Sequence, residues 1–271
     1  MLPWQMKTQG TLDRSRCARW TARRAGLVAL CLALLSSARA QTPAKPVAQS
    51  TEAPTVDQIL DRYLKAEGGR AAFERLTSRV MTGTIDVPSL SLKGTVVLHE
   101  KAPDRSLGII LINGASYRQG FDGTSGWTDD PRNGLRDQTG AELAETRRES
   151  DFYHTLDLRK LYSNFTFTGK QEIGGRQTYV LEAEVPEGGP PEKMYFDTTS
   201  GLLLRNISQH HGPDGVSEFQ QDYENYREVD GIELPETIRQ TNEGTLVIIT
   251  VAEYHHNVPL DDAEFTKPAA P

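Results

Sequence analysis

The sequence predicts a mainly β domain of the α+β class, built on an antiparallel sheet with a few helices. Three observations predict it. From Val80 onward apolar residues recur with period two in one short segment after another, which is the spacing of pleated strands. Tight-turn dipeptides separate these segments. In Asp230-Gly231, between alternating flanks, both residues tolerate the positive φ that a two-residue hairpin loop needs. Helical spacing is confined to four stretches, the first of which opens the domain.

Residues 1–40 read as an export signal. Arg14, Arg16, Arg19, Arg23 and Arg24 form a basic start, 25–35 is an apolar core, and Ala38-Arg39-Ala40 supplies small residues for cleavage near Ala40. That core is short for the ~30 Å of a bilayer's hydrocarbon, so no stable span is expected after cleavage. The Arg23-Arg24 pair leaves both general and twin-arginine export open. Leu30 stands before Cys31 where acylation would need a small residue. Both cysteines, Cys17 and Cys31, fall inside the signal, so disulfides, thiolate metal sites and cysteine nucleophiles are excluded from the exported chain.

The full chain carries 30 Lys and Arg against 37 Asp and Glu, a formal charge of −7. Residues 1–40 hold seven of the basic residues and one of the acidic ones, which leaves about −13 on the exported part. A phosphate backbone would be repelled, and no basic stripe with interleaved aromatics occurs, so nucleic acid is not an expected partner.

Residues 41–53, rich in Pro, Ala, Ser and Thr, read as a flexible leader to a single domain over 54–271. Thr55 and Gln58 have capping-box spacing, and Val56, Ile59, Leu60, Tyr63 and Leu64 follow as one apolar stripe. Gly68-Gly69 ends that helix, and a short helical piece over 70–76 carries Ala72, Phe73 and Leu76. Strands are expected over 80–87, 92–101, 107–112, 115–121 and 126–128. Thr139 and Glu142 suggest a second capping box, and a last helical piece covers 152–162. Strands resume over 165–168, 178–185, 192–197, 202–209, 219–229, 234–240 and 246–254. Most alternate cleanly, but 107–112 and 246–251 are apolar on both faces and need cover on both sides. The turn in Phe121-Asp-Gly-Thr-Ser-Gly-Trp127 is echoed in Phe196-Asp-Thr-Thr-Ser-Gly-Leu202, which reads as reuse of turn chemistry.

No catalytic constellation emerges, and no cofactor or metal is expected. His99, His154, His210, His211, His255 and His256 lack metal-ligand spacing. Ser125 has no nucleophile-elbow glycines around it. Asp129-Asp130 and Asp261-Asp262 lack the further oxygens that a cation requires. Neither a phosphate-cradling loop nor a dinucleotide fingerprint is present. Trp127, just after a tight turn, fits either a core aromatic or the mouth of an apolar cavity.

Lys101-Ala102-Pro103, the block from Phe121-Asp-Gly through Trp127 to Pro131, and the close Asp261-Asp-Ala-Glu-Phe265-Thr-Lys-Pro268 resemble the periplasmic outer-membrane lipoprotein carriers, or LolA-like proteins. Tyr226-Arg-Glu-Val-Asp-Gly-Ile-Glu-Leu-Pro235 is similar to a block in the wider lipoprotein-sorting-like group. The resemblance implies a strongly curved antiparallel sheet forming an unclosed half-barrel, with helices packed on its concave side. It also implies a non-enzymatic protein whose cavity takes a lipid, an acyl chain or an acylated protein. Leu98, Ile110, Ile112, Trp127 and Tyr179 are the candidate lining residues. The carriers have an Arg that helps latch their lid where this chain has Ala102, which favours a general lipid or apolar-ligand binder. Related domains sense envelope stress by binding a protein, so a regulatory interaction module with an envelope protein partner is the alternative.

Overall fold

The computed structural model describes residues 53–212 and 215–269. The expected export signal, and all but the last residue of the leader, lie outside them. Helix α1 (Val56–Ala66) begins at its capping box: Thr55 N donates to Gln58 Oε1 at 2.9 Å, and Gln58 N donates to Thr55 Oγ1 at 3.2 Å. A cap of this kind is worth about 1 kcal/mol. The apolar stripe of α1 buries Ile59, Leu60 and Tyr63. The chain leaves the helix through Gly68, at φ +124°, where a Cβ would lie 2.1 Å from the Gly231 carbonyl oxygen. Only glycine permits that approach. Glu233 N donates to Glu67 O at 3.0 Å beside it, so the end of α1 is docked on the Asp230-Gly231 turn. The short helix α2 (Arg70–Phe73) follows.

Strands β1 (Ser78–Val87), β2 (Leu92–Lys101), β3 (Arg105–Ile112), β4 (Ala115–Phe121), β5 (Gly126–Asp130) and β6 (Gly134–Asp137) form an antiparallel meander. Helices α3 (Gly140–Glu149) and α4 (His154–Leu161) come next. A second meander runs through β7 (Asn164–Ile173), β8 (Arg176–Glu184), β9 (Glu192–Asp197), β10 (Leu203–Gly212), β11 (Gly215–Val229), β12 (Ile232–Asn242) and β13 (Thr245–His256). Because β13 pairs with β1, the meanders join into one 13-stranded sheet whose edges are β6 and β7. Those edges do not pair, so the sheet is an unclosed half-barrel, and α3 and α4 carry the chain from one edge to the other.

One pair of contacts demonstrates the curvature. Glu145 and Thr146 are neighbours on α3. Glu145 Oε1 lies 2.8 Å from His210 Nδ1 on β10, while Thr146 Oγ1 accepts from Gln119 Nε2 on β4 at 3.2 Å. Those strands are seven positions apart in the sheet order, or ~34 Å if the sheet were flat. Two adjacent helical residues reach both only because the sheet curls around α3, which therefore lies on the concave face.

Asp230 and Gly231 have φ of 53° and 85°, as the hairpin requires. In the two echoed turns, Asp122 Oδ1 accepts from Thr124 N and Ser125 N, and Asp197 Oδ1 accepts from Thr199 N and Ser200 N. The second capping box does not form. Thr139 makes no side-chain cap, and Glu142 is taken by Arg136 through two bonds of 2.7 and 2.6 Å. A bidentate charged pair outcompetes a neutral backbone donor.

The doubly apolar strand β3 is covered differently on its two faces. Leu107 and Ile109 face the convex side, where Phe265 and Leu260 of the C-terminal segment pack over them together with Trp127. Lys101 Nζ fastens that strap by donating to Leu260 O at 2.7 Å and Asp262 Oδ1 at 2.6 Å, and Arg105 adds a contact to Asp262 at 3.5 Å. Arg105 thus holds the strap, while Ala102 packs into an apolar cluster with Phe73, Leu76 and Phe152.

Candidate ligand-binding site

The concave face divides into a half packed under α1 and α4 and a half whose apolar cluster, among the described residues, is made by strands. In the covered half, Ile59, Leu60 and Tyr63 of α1 and Leu158 of α4 pack with Tyr162 on Leu181, Ala183, Met194 and Phe196 of β8 and β9. In the other half the cluster is Met81, Ile85, Val96, Ile249 and Val251, with Leu98, Ile110, Ile112, Ile238, Val247 and Tyr254 against it. Every one of these side chains comes from a strand. Leu98, Ile110, Ile112, Ile238 and Val247 remain only half-buried.

Register shows that this patch is continuous. Cross-strand partners share a face, and one row of them runs Ala115, Ile112, Gly94, Ile85, Ile249, Ile238, Tyr223 from β4 to β11. Beside it, Tyr117 pairs with Ile110 and is 43% exposed, a large aromatic at the rim of the patch.

The structure brings three of the five sequence-predicted lining residues together, Leu98, Ile110 and Ile112. Trp127 is not on the concave face. It pairs with Gly120, and Gly120 with Leu107, so it belongs to the convex side. There it is 2% exposed, and its Nε1 donates to Phe265 O at 2.8 Å. The C-terminal strap, which sequence reading treated only as a motif, has sealed it. Tyr179 lies on β8 at the far end of the sheet, with the Phe167 ring 6.0 Å away and Lys170 Nζ 5.3 Å over its own ring. It borders the helix-covered core. Sequence reading missed Tyr117, Ile238 and Val247. Ile238 and Val247 lay inside predicted strands, and pairing register was the signal needed to bring them to this patch.

Where the two halves meet, a cavity of about 170 Å³ lies between α1, α4 and strands β9 to β12. Its apolar walls are Leu158, Met194, Leu203 and Pro235, and its polar walls are Tyr63, Glu67, His154, Asn206, Tyr223 and Tyr226. Glu67 is 8% exposed. Its Oε1 accepts from Tyr63 Oη at 2.8 Å and its Oε2 from Thr155 Oγ1 at 2.7 Å. Desolvation pushes its carboxyl up to about 7 in spite of those donors. Burial, reinforced by Arg148, pushes the His154 ring down to about 4, so it is neutral at ordinary pH. Burial also raises Tyr223 above the usual phenol range, with the Glu149, Glu192 and Glu67 carboxylates adding to it. Sequence carried one hint of this cavity, the i, i+4 spacing of Tyr63 on α1 and Glu67 at its C-terminal cap.

Polar bonds fasten α3 across the opening. Glu145 holds His210 Nδ1 at 2.8 Å, and its second oxygen takes His211 N at 2.8 Å and His211 Nδ1 at 2.9 Å. The adjacent residues His210 and His211 thus converge on one carboxylate. Arg148 spans Glu187 at 2.9 Å and Glu192 at 2.8 Å, and Glu192 also accepts from Tyr162 Oη at 2.9 Å. On the other side, Ser106 and Ser150 hydroxyls meet at 2.6 Å. Among the described residues no helix is long and apolar enough to cross a membrane.

No family model and no curated protein matches the chain. Solved structures do share its fold. A DUF1329 family protein from Desulfovibrio piger is 16% identical, with 78% of this chain and 97% of that one covered and a TM-score of 0.51. A LolA superfamily protein from Nitrosomonas europaea is 15% identical, with 79% and 99% covered and a TM-score of 0.50. At such identities the likeness is one of fold.

Proposed function

We propose that this chain, which has a LolA-like fold, is an exported, non-enzymatic protein that binds an acyl chain, a lipid or an acylated protein on the concave face of its half-barrel. The observation that carries this reading is the strand-only cluster around Met81 and Ile249. Leu98, Ile110, Ile112, Ile238 and Val247 are left half-buried there, with Tyr117 exposed at the rim. A contiguous apolar surface in a concavity favours whatever removes it from water. Each buried methylene contributes about 0.8 kcal/mol, so a long acyl chain gains on the order of 10 kcal/mol. That is comparable to the ~4–15 kcal/mol lost on association, so most of the chain has to lie along the patch. The basic start, apolar core and Ala38-Arg39-Ala40 of residues 1–40 support a periplasmic location, with cleavage near Ala40.

Native mass spectrometry of periplasm-purified protein tests the reading. Co-purifying lipid is expected, together with binding of a fluorescent fatty acid that Ile110→Asp abolishes. Protein that is repeatedly empty and binds no fatty acid would sink it. One observation favours the regulatory alternative: among the described residues nothing pairs with the outer edge of the ten-residue strand β7, on which an envelope protein's extended segment could add a strand. A single stoichiometric protein partner, recovered without lipid, would select that reading.

A further inference from the structure

The cavity where the two halves meet has walls unlike those of the apolar patch beside it, and they define a ligand chemistry. Its phenol hydroxyls are already engaged: Tyr63 Oη donates to Glu67, Tyr223 Oη to Gln221 Oε1 at 3.1 Å and Tyr226 Oη to Leu203 O at 2.7 Å. The Glu67 carboxylate is held only by two neutral hydroxyls, Tyr63 Oη and Thr155 Oγ1, and among the described residues it forms no ion pair. Asn206 Oδ1, on the opposite wall, is a buried acceptor without a hydrogen-bond partner among the described residues, while its Nδ2 is occupied by Glu192 at 3.3 Å. The nearby Arg148 is already shared by Glu187 and Glu192. Tyr223 and Tyr226 supply aromatic surface. A buried carboxylate and a free carbonyl oxygen among phenol rings suit a cation of low hydration, because ring faces and carboxylate attract the same charge. About 170 Å³ is room for a group the size of benzene, and hence for a substituted ammonium.

We propose that this cavity is a subsite for an ammonium group, and that the preferred ligand of the concave face is an amphiphile with an ammonium head at Glu67 and an apolar chain along the Ile249–Ile112 patch. The assignment of the chain rests on the acyl-binding reading above; the assignment of the head does not. Register joins the two parts, because Tyr223 of the cavity wall is the cross-strand partner of Ile238, and Ile238 of Ile249. The size of the cavity limits the head to a compact group and leaves the chain to the open patch. The groups facing Glu67 are Tyr63 on its own helix, Thr155 and His154 on α4, and Tyr223 and Tyr226 on β11, with Arg79 of β1 acting at longer range. Neutral His154 does not compete with a bound cation.

Titration calorimetry with dodecyltrimethylammonium, dodecanoate and choline, each below any micelle concentration, separates head from chain. The wild-type protein should bind dodecyltrimethylammonium at least roughly tenfold more tightly than dodecanoate. That preference should grow as pH rises through about 7, where Glu67 ionises. Glu67→Gln keeps a side chain able to bond both hydroxyls, and it should abolish the preference by weakening dodecyltrimethylammonium roughly tenfold. Tyr223→Leu, which leaves the hydrogen bonds of Glu67 intact, should weaken the cationic amphiphile severalfold and dodecanoate much less. Equal affinities in the wild type, or a preference that survives Glu67→Gln, would overturn the ammonium subsite while leaving acyl binding standing. If neither amphiphile binds, the acyl reading falls and choline decides the subsite. Choline bound by the wild type and not by Glu67→Gln upholds it, and no choline binding by either protein removes it.

Discussion

Leu181 and Ile110 lie on the same face of the same sheet, yet α1 and α4 cover the first, while among the described residues the second is packed by strand side chains. Leu181 is fully buried beneath α1 and α4 with Phe196 and Met194. Ile110 remains half-buried in a cluster made wholly by strands. The difference teaches how a thin curved sheet divides its labour. Apolar surface that the chain covers itself stabilises the fold. Apolar surface left open adds little to stability and remains available to another molecule. Truncation should separate the two. Leu181→Ala should destabilise by about 3–5 kcal/mol, because it removes a buried side chain and leaves a cavity. Ile110→Ala should lose only about 1–2 kcal/mol, because much of that side chain is in water already. Urea unfolding of both variants measures the pair. Equal losses would mean that the open half is ordinary core and would break the comparison.

The boundary between the halves gives a second test, in which a functional group works against stability. Glu67 has a carboxyl raised from 4.5 to about 7, chiefly by desolvation. The folded state therefore holds its proton more tightly than the unfolded chain does, and stability falls as pH rises from about 4.5 through 7. Glu67→Gln removes that penalty. The variant should match the wild type near pH 4 and exceed it at pH 8 by up to about 3 kcal/mol, which is the shift converted to free energy. Chemical unfolding at the two pH values measures it. A wild-type protein no less stable than the variant at pH 8 would show that Glu67 is satisfied where it stands.

Much of the frame was legible because strand period and turn chemistry are local. The Asp230-Gly231 hairpin, the α1 capping box and the extents of β2, β4 and β9 are settled by residues a few positions apart. What was not legible depends on contacts distant in sequence. Strand β6 is four residues long, too short to show a period. Trp127 could be read as a cavity mouth because nothing near it in sequence announces that Phe265 will cross above it. Leu98, Ile110 and Ile112 could be named as candidates, but the face they share required the register of β2 and β3. The polar cavity was hidden for the same reason: Glu67, Asn206 and Tyr223 belong to a helix and two strands that meet only when the sheet curls.

The smallest expected effect concerns α3, the element that both halves share. Glu145 is lowered from the usual carboxylate range because its bonds to His210 and His211 outweigh its burial, and His210 is raised by the same pair. The two shifts bound a window. The contribution of Glu145 is present above its unfolded value near 4.5 and is lost as pH falls through the lowered one. The contribution of His210 is complete below about 6.5 and is lost as pH rises through the raised value. The latch is therefore strongest between those limits and weakens on the alkaline side first as the imidazolium discharges. The His210 side chain is 47% exposed, so solvent screening should hold the gain below about 1 kcal/mol. Hydrogen exchange of the α3 amides should quicken modestly from pH 6 to pH 8 once corrected for the intrinsic rate, and His210→Gln should flatten that dependence. A flat wild-type profile would mean that the other contacts of α3, those of Arg148 with Glu187 and Glu192 foremost, secure it without the histidine. The helix would then belong to the permanently covered half rather than to the boundary of the open one.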